Sequence, residues 1–442
     1  MEKLAIVHLG CPKNQVDGET LAGCLADRYT LTADPTEADV IVVNTCGFIT
    51  AAKEESIDAI FQMLERKKTN PAVKVLAAGC LAQRYGAELA AAVPELDGVV
   101  GDDDIPRIAD RIKATAAAPG RMTRPAGRRF LAAAAPPRRR LRSYTAYLKI
   151  AEGCDNRCTY CAIPAIKGPY RSRPLPALAA EAAELAESGA REIILVAQDT
   201  TRYGLDLYGG LKLPELLRRL ARSGAAWLRL LYCYPELVTD ELITVMGEET
   251  AVCHYMDLPL QHASDRVLSA MGRRGTAGEA AALIARLRTA IPDIVLRTTF
   301  ITGFPGETEE DFRSLLDFVR AMRFDRLGVF AYSEEEGTPA AARADQVPPA
   351  LREERRDRLM ECQAEIAAAK QAERVGTVMP VLLEEKMNYD CWQGRSAGDA
   401  PETDGQVYVR VRGRRRGGDM VAVRIDSSDE YDLYGAELEA GA

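Results

Sequence analysis

The chain has 442 residues, a formal net charge of −8, 47% hydrophobic and 28% charged residues. The length suits about three domains, and the negative balance excludes a protein held to nucleic acid by bulk charge alone. The opening MEKLAIVHLGC is too short and too polar for a secretory core, and no apolar run approaches a membrane span, so a cytoplasmic, membrane-free setting is expected. In that reducing compartment eleven cysteines, an odd number in a long chain, point to metal or redox use rather than a disulfide framework.

Residues 1–115 alternate apolar runs with helical patterns. AIVHL (5–9), VIVVN (40–44) and VKVLAA (73–78) read as strands, with helices expected over 17–28, 51–68 and 83–92. Such βαβ alternation predicts an open parallel sheet covered by helices. Residues 116–143 hold alanine, proline and eight arginines (Arg121, Arg124, Arg128, Arg129, Arg138, Arg139, Arg140 and Arg142) and no acid. This stretch reads as a solvated linker, with contact to RNA phosphate as its functional alternative. Residues 144–374 carry six strand-like runs, YLKIAEG, EIILVAQD, WLRLLYCYP, HYMDLPLQ, IVLRTTFITG and RLGVFAYS, separated by helical segments and ended by a charged helix near 348–374. Six β/α units in a row predict a closed or partial barrel. Residues 375–442 contain VMPVLLEE, QVYVRVR and DMVAVRID between Gly/Asp-rich turns, a pattern for a small antiparallel β-barrel.

The segment AEGCDNRCTYCAIP places Cys154, Cys158 and Cys161 as Cys-x3-Cys-x2-Cys directly after a predicted strand. Three thiolates on one tight loop can hold three irons of a four-iron cluster and leave the fourth open. An open iron can chelate the amino and carboxylate groups of S-adenosylmethionine (SAM) and pass it an electron. Structural zinc wants four ligands, and the nearest histidines, His254 and His262, are far away in sequence. Tyr160, between the last two cysteines, can cover the cluster or serve ordinary packing.

A second triad is spread along the chain. Cys11 follows AIVHLG, Cys46 follows VIVVNT and Cys80 follows VLAAG. Each lies at the carboxyl end of a predicted strand, and in an open parallel sheet those ends share one edge, where ligands bind. The alternative is three buried small hydrophobes. Again three thiolates would leave one iron open, and a second cluster suggests the handling of a substrate such as sulfur. Cys24, Cys233, Cys253, Cys362 and Cys391 show no such spacing and read as packing residues.

The Cys154–Cys161 loop at the first strand of a six-unit barrel resembles the radical SAM superfamily, whose members cleave SAM to methionine and a 5′-deoxyadenosyl radical. By that resemblance GFPGET (303–308), with Gly303, is a SAM-contact segment. Gln198 and Asp199, ending another strand, stand where the superfamily contacts the SAM amino group, although Ala-Gln-Asp replaces the usual Gly-Gly-Glu. A loop Gln-Asp that caps the next helix is the alternative.

Nearly the whole chain resembles the methylthiotransferase family, with an N-terminal cluster domain (1–115), a central radical SAM barrel (144–374) and a C-terminal, OB-like TRAM module (375–442). The resemblance implies two 4Fe-4S clusters held by the six cysteines, SAM as both radical source and methyl donor, and replacement of C–H by C–SCH3. It also implies an electron donor and a sulfur cosubstrate as partners. One branch of the family modifies a tRNA adenosine. The other modifies an aspartate β-carbon in the twelfth protein of the small ribosomal subunit. LGCPKNQVDGE (9–19), VAQDTTRYG (196–204), DLPLQHAS (257–264), YSEEEGT (332–338) and GRSAGDAPETDG (394–405) resemble the second branch, with Gly18 a departure where the family more often has serine.

Charge points the same way. Residues 375–442 hold 8 Lys/Arg and 13 Asp/Glu, a net of 8 − 13 = −5. A module that grips tRNA should be basic, whereas an acidic one suits a very basic protein. The Arg410, Arg412, Arg414, Arg415 and Arg416 patch is the exception, either a contact with RNA or a solvated hairpin. A non-catalytic zinc-binding RNA adaptor is the alternative from a different class.

Overall fold

The structure is a computed structural model that describes residues 1–101, 109, 110, 112, 138–140 and 144–439. Of the expected linker, Arg121, Arg124, Arg128, Arg129 and Arg142 lie outside the described residues. Arg138 is described, and its guanidinium pairs with the buried Glu19 at 2.5 Å. The chain forms two compact units. The first joins residues 1–141 to 149–178 and 333–338, and the second comprises 142–148, 179–332 and 339–442.

In the first unit, β1 (Lys3–His8), β2 (Thr30–Leu31), β3 (Val40–Thr45), β4 (Lys74–Gly79) and β5 (Gly98–Val100) form one parallel sheet in the order β2-β1-β3-β4-β5. The continuous apolar run VIVVNT forms the central strand β3 and is buried throughout, as a strand covered on both faces must be. Ile41 and Val43 face one apolar cluster with Ile60 and Leu81, while Val40 and Val42 face another with Leu21 and Leu25. The helices begin earlier than the apolar periodicity predicts. α1 (Pro12–Leu25) starts straight after Cys11, with Pro12 in the first turn where its missing N–H costs nothing. α2 spans Thr50–Thr69, and α3 (Cys80–Ala92) begins on Cys80 itself. Residues 149–178 add the short antiparallel pair β7 (Ala151–Glu152) and β8 (Arg171–Ser172), which brings together the two ends of the loop carrying Cys154, Cys158 and Cys161.

In the second unit, β6 (Thr145–Lys149), β9 (Glu192–Val196), β10 (Trp227–Leu230), β11 (Val252–Gln261), β12 (Val295–Thr302) and β13 (Arg326–Ala331) lie in sequence order in one unclosed six-stranded sheet. The ladders from β9 to β13 are parallel, as β/α repetition predicts. The C-terminal strands β14 (Val378–Lys386), β15 (Cys391–Ser396), β16 (Val407–Arg410), β17 (Met420–Ser428) and β18 (Leu433–Glu437) close into a barrel. Four of its ladders are antiparallel and β16·β18 is parallel. Its core is Val381, Leu383, Trp392, Val407, Val409, Val423 and Ile425. No helix among the described residues is long and apolar enough to cross a membrane.

The run 394–405 packs against the amino-terminal half of the parallel sheet through buried ion pairs. Arg395, fully buried, donates to Glu192 at 2.6 Å and to Glu384 at 2.9 Å. Arg229 holds the other oxygen of Glu192 at 2.7 Å and reaches the Ala397 carbonyl at 2.8 Å. Arg326 pairs with Asp399, and Tyr255 donates to Asp404 at 2.6 Å. Burial alone would raise the Glu192 and Asp399 carboxyls. Arg395 with Arg229, and Arg326 with Arg374, outweigh it and hold both below their ordinary values. A depressed folded value contributes stability above the unfolded value, and that contribution is lost as pH falls through the folded one. Asp404, which burial raises, works in the opposite direction. The pairs are expected to win, so urea midpoints should fall progressively from about pH 5 downward. A midpoint that rises in acid would show that Asp404 dominates.

Candidate functional site

Cys11, Cys46 and Cys80 come from three separate strand ends and meet. Cys11 caps the start of α1, Cys46 follows β3, and Cys80 opens α3. A Cβ on Gly10 would lie 2.6 Å from Cys46 Cβ and 2.9 Å from its Sγ, so the residue before Cys11 must be glycine for the two loops to touch. A Cβ on Gly47 would lie 2.8 Å from Leu81 Cα and 3.1 Å from the Cys80 carbonyl carbon, which brings the Cys46 loop onto the Cys80 loop in the same way. Ser56 of α2, wholly buried, accepts from the Cys46 N–H and donates to the Cys46 carbonyl, each at 2.9 Å. Asn14 donates to the carbonyls of Leu9 at 2.7 Å and Asn44 at 3.1 Å, fixing the start of α1 against β3.

Cys154, Cys158 and Cys161 share the second loop of the same unit. The Cys154 N–H donates to the Gly168 carbonyl at 3.0 Å, and the Cys161 N–H to the Cys158 carbonyl at 3.1 Å. None of the six is in a disulfide. Burial pushes the Cys80 and Cys161 thiols up to about 12 and raises Cys46, with the other thiols of each triad adding to the effect. A thiol so raised keeps its proton until a metal ion binds the sulfur and displaces that proton to water. Among the described residues no three His, Cys, Asp or Glu side chains are placed to hold a single metal ion. Two sets of three thiols would instead suit the donor set of a four-iron cluster, with one thiolate on each of three irons.

The two triads are neighbours. Cys80 packs against Ala162 and Ile166, in the segment immediately after Cys161. Arg84 of α3 donates to the Gly47 carbonyl at 3.0 Å and to Glu335 at 2.9 Å, and its charge favours the Cys161 thiolate. Glu335, also bonded by Lys53 at 2.9 Å and Ser333 at 2.8 Å, ties the SEEEGT run to α2 and α3. Behind the triads lies a buried quartet. Lys149 bonds Asp17 and, at 2.5 Å, Glu152, while Lys167 lies 3.4 Å from Asp17 and 3.8 Å from Glu152. No sequence pattern singles out Arg84, Glu335 or this quartet, although Asp17, Glu152 and Glu335 stand inside the runs LGCPKNQVDGE, AEGCDNRCTYCAIP and YSEEEGT.

Gly18 has a local explanation. Its Cβ would fall 2.2 and 2.3 Å from the Cε1 and Nδ1 atoms of His8, whose ring occupies the space a serine side chain would need. Gly18→Ser is therefore expected to destabilise the chain by about 1–3 kcal/mol. Urea unfolding checks this, and His8→Ala in the same chain should recover most of the loss.

Tyr160 is partly buried on the cysteine loop. The remaining sequence-predicted residues belong to the second unit. Gln198 and Asp199 follow β9, and Gly303 follows β12 in the same sheet. Asp199 is buried, and its Oδ1 accepts from the Thr201 hydroxyl at 2.8 Å and the Arg202 N–H at 3.2 Å, so it shapes the loop that carries Gln198. A Cβ on Gly303 would lie 2.3 Å from Arg352 Cγ, and its N–H donates to Glu307 at 2.9 Å. Glu307 also takes Arg355 at 2.8 Å and faces His262 Nε2 at 3.2 Å, organising the GFPGET turn.

Residues 3–101 match the uncharacterized protein family UPF0004, residues 148–319 the radical SAM superfamily and residues 375–437 the TRAM domain. The chain is 52% identical over 441 residues to "Ribosomal protein uS12 methylthiotransferase RimO" of Desulfitobacterium hafniense (strain Y51), covering 99% of each. It is 51% identical to the protein of that name from Pelotomaculum thermopropionicum, covering 98% of each, and 49% identical to that of Geobacter sulfurreducens, covering 98% of each. Its fold is similar to the radical S-adenosylmethionine methyltransferase TsrM from Kitasatospora setae with cobalamin and a [4Fe-4S] cluster bound. There the TM-score is 0.56 at 16% identity, covering 77% of this chain and 73% of that one.

Proposed function

We infer the activity from one premise: this chain belongs to the ribosomal protein uS12 methylthiotransferase RimO family. It replaces a C–H bond on the β-carbon of an aspartate in uS12 with C–SCH3, using SAM as both radical source and methyl donor. The observation that carries this reading is the pair of adjacent cysteine triads, each one ligand short of closure, in one compact unit.

Cys154, Cys158 and Cys161 would hold the cluster that binds SAM, and Cys11, Cys46 and Cys80 the cluster that receives sulfur. Three-thiolate clusters supply an electron and an open iron for a ligand. The protein supplies the rest. Ser56 fixes the Cys46 backbone, Arg84 ties the Cys46 loop to Glu335, and Glu307 holds the glycine turn at Gly303. Burial of Cys46 and Cys80 keeps bulk water from the sulfur site. The C-terminal module, net −5 by 8 − 13, suits a basic protein substrate. Four of the five arginines of its patch are paired internally, Arg410 with Asp426, Arg412 with Glu439, Arg415 with Glu437 and Arg416 with Asp419, so less of its charge is open to phosphate. An electron donor, a sulfur cosubstrate and a cytoplasmic setting complete the proposal.

Anaerobic reconstitution is expected to yield about eight irons per chain, two four-iron clusters. Zinc in place of iron, with no visible absorbance, would overturn the reading.

A further inference from the structure

We propose that His262 is a positioning residue for SAM: its buried imidazole aims Glu307 at the Gly303 N–H and so pre-forms the glycine turn that receives SAM. The inference rests on the activity proposed above and deepens it, naming a residue that lies outside both cysteine triads and outside the GFPGET run.

Two neighbouring strand ends build this arrangement. β11 and β12 are parallel and paired, so the loops that follow them leave the same edge of the sheet, where ligands bind in such folds. His262 is the first residue after β11, and Gly303 the first after β12. Gln261 ends β11 with φ +74°, a left-handed conformation that a residue with a side chain keeps only where its surroundings hold it. At that strained corner the chain buries His262, which is 2% exposed.

The hydrogen bonds assign the two ring nitrogens. The Ser264 N–H donates to Nδ1 at 2.9 Å, so Nδ1 offers its lone pair and the ring proton sits on Nε2. Nε2 lies 3.2 Å from Glu307 Oε2 and donates to it. The same Oε2 accepts the Gly303 N–H at 2.9 Å, while Arg355 holds Oε1 at 2.8 Å. Arg355 thus offsets the charge of the carboxylate, and His262 supplies direction to the oxygen that meets Gly303. On its other side Gly303 has no slack, because a Cβ there would lie 2.3 Å from Arg352 Cγ and 2.9 Å from Arg352 Cα. The ring is anchored in turn: the Ser264 hydroxyl donates to Asp311 at 2.6 Å, in the first turn of the helix Glu309–Met322. A turn held in this way costs SAM little ordering when it binds. Losing the hold weakens bound SAM and its transition state equally, so affinity falls and the cleavage step does not.

The test uses the full chain, reconstituted with iron under anaerobic conditions. SAM binding is measured by equilibrium dialysis without reductant, and 5′-deoxyadenosine release with it. His262→Leu, which fills space but donates nothing, is expected to raise the SAM dissociation constant about tenfold, the worth of a hydrogen bond to a charged group. Its kcat for cleavage at saturating SAM should stay within about twofold of the parent. His262→Gln, long enough to offer an N–H to Glu307, should bind SAM within a few-fold of the parent. His262→Asn keeps an acceptor for the Ser264 N–H but is too short to reach Glu307, and should behave as His262→Leu does. Parent-like SAM affinity in His262→Leu, a loss of kcat at unchanged KM, or equal weakening in the Gln and Leu variants would overturn the proposal. If His262→Leu fails to retain iron, the other two decide: weaker SAM binding by Asn than by Gln upholds it, and equal binding rejects it. The mass of uS12 after turnover reports on the activity itself, so the expected SAM affinities without methylthio product from the parent would fault the activity and not His262.

Discussion

Cys46→Ala is expected to leave SAM cleavage intact while stopping methylthio transfer, and Cys154→Ala is expected to abolish both. The asymmetry follows from where each thiol is placed. Cys154 shares its loop with Cys158 and Cys161, and that loop is closed independently of β3 by the pairing of β7 with β8 and by the Cys154–Gly168 hydrogen bond. Cys46 lies after β3, held by Ser56 and wedged against Gly10. Removing its sulfur leaves the second triad one thiol short and the first complete. The measurements are 5′-deoxyadenosine release and product mass from the same anaerobic reaction. Each loss should reach the detection limit, because a cluster with two protein ligands is not expected to persist. Product from Cys46→Ala would show that Cys11, Cys46 and Cys80 do not form the sulfur site.

Arg395→Ala should destabilise the second unit by about 3–5 kcal/mol, the range for stripping one partner from a buried ion pair. Arg395 is fully buried and meets Glu192 at 2.6 Å, Glu384 at 2.9 Å and the Asp399 carbonyl at 2.9 Å. Glu192 would keep Arg229, whereas Glu384 would lose its arginine. Pairing Arg395→Met with Glu384→Gln should therefore recover about 0.5–3 kcal/mol relative to the sum of the single changes. Denaturant unfolding of the four variants measures the coupling. A loss below about 1 kcal/mol for Arg395→Ala would mean that the pairs are solvated and that 394–405 is not anchored through them.

Much of this was legible in the chain. The runs VIVVNT and VLAAG locate β3 and β4 because strands buried on both faces are continuously apolar, and their ends carry Cys46 and Cys80. The short strands β2, β5, β15 and β18 were not legible. Two or three residues carry no periodicity, and CWQGRS and LYGAE interrupt theirs with glycine. α1 starts earlier than its apolar periodicity predicts because its first turns bury Lys13, Asn14, Asp17, Glu19 and Thr20 rather than an apolar stripe. Pro12, a first-turn signal, would have corrected the boundary. The buried quartet was hidden for a different reason: Asp17 meets Lys149 and Lys167 across 132 and 150 positions, and no local pattern reports a contact between such distant residues.

The cysteine loop at 154–161 alone supports only radical SAM cleavage. The triad at Cys11, Cys46 and Cys80 narrows the reading to sulfur insertion, and the acidic module with its paired arginines directs it to a protein. The most direct test offers the reconstituted, reduced enzyme, with SAM and sulfide, a mixture of uS12 and unmodified tRNA, followed by mass spectrometry of both. The account predicts that uS12 gains one methylthio group in place of one hydrogen on a single aspartate while tRNA is unchanged. Methylthiolated tRNA beside unmodified uS12 would contradict it.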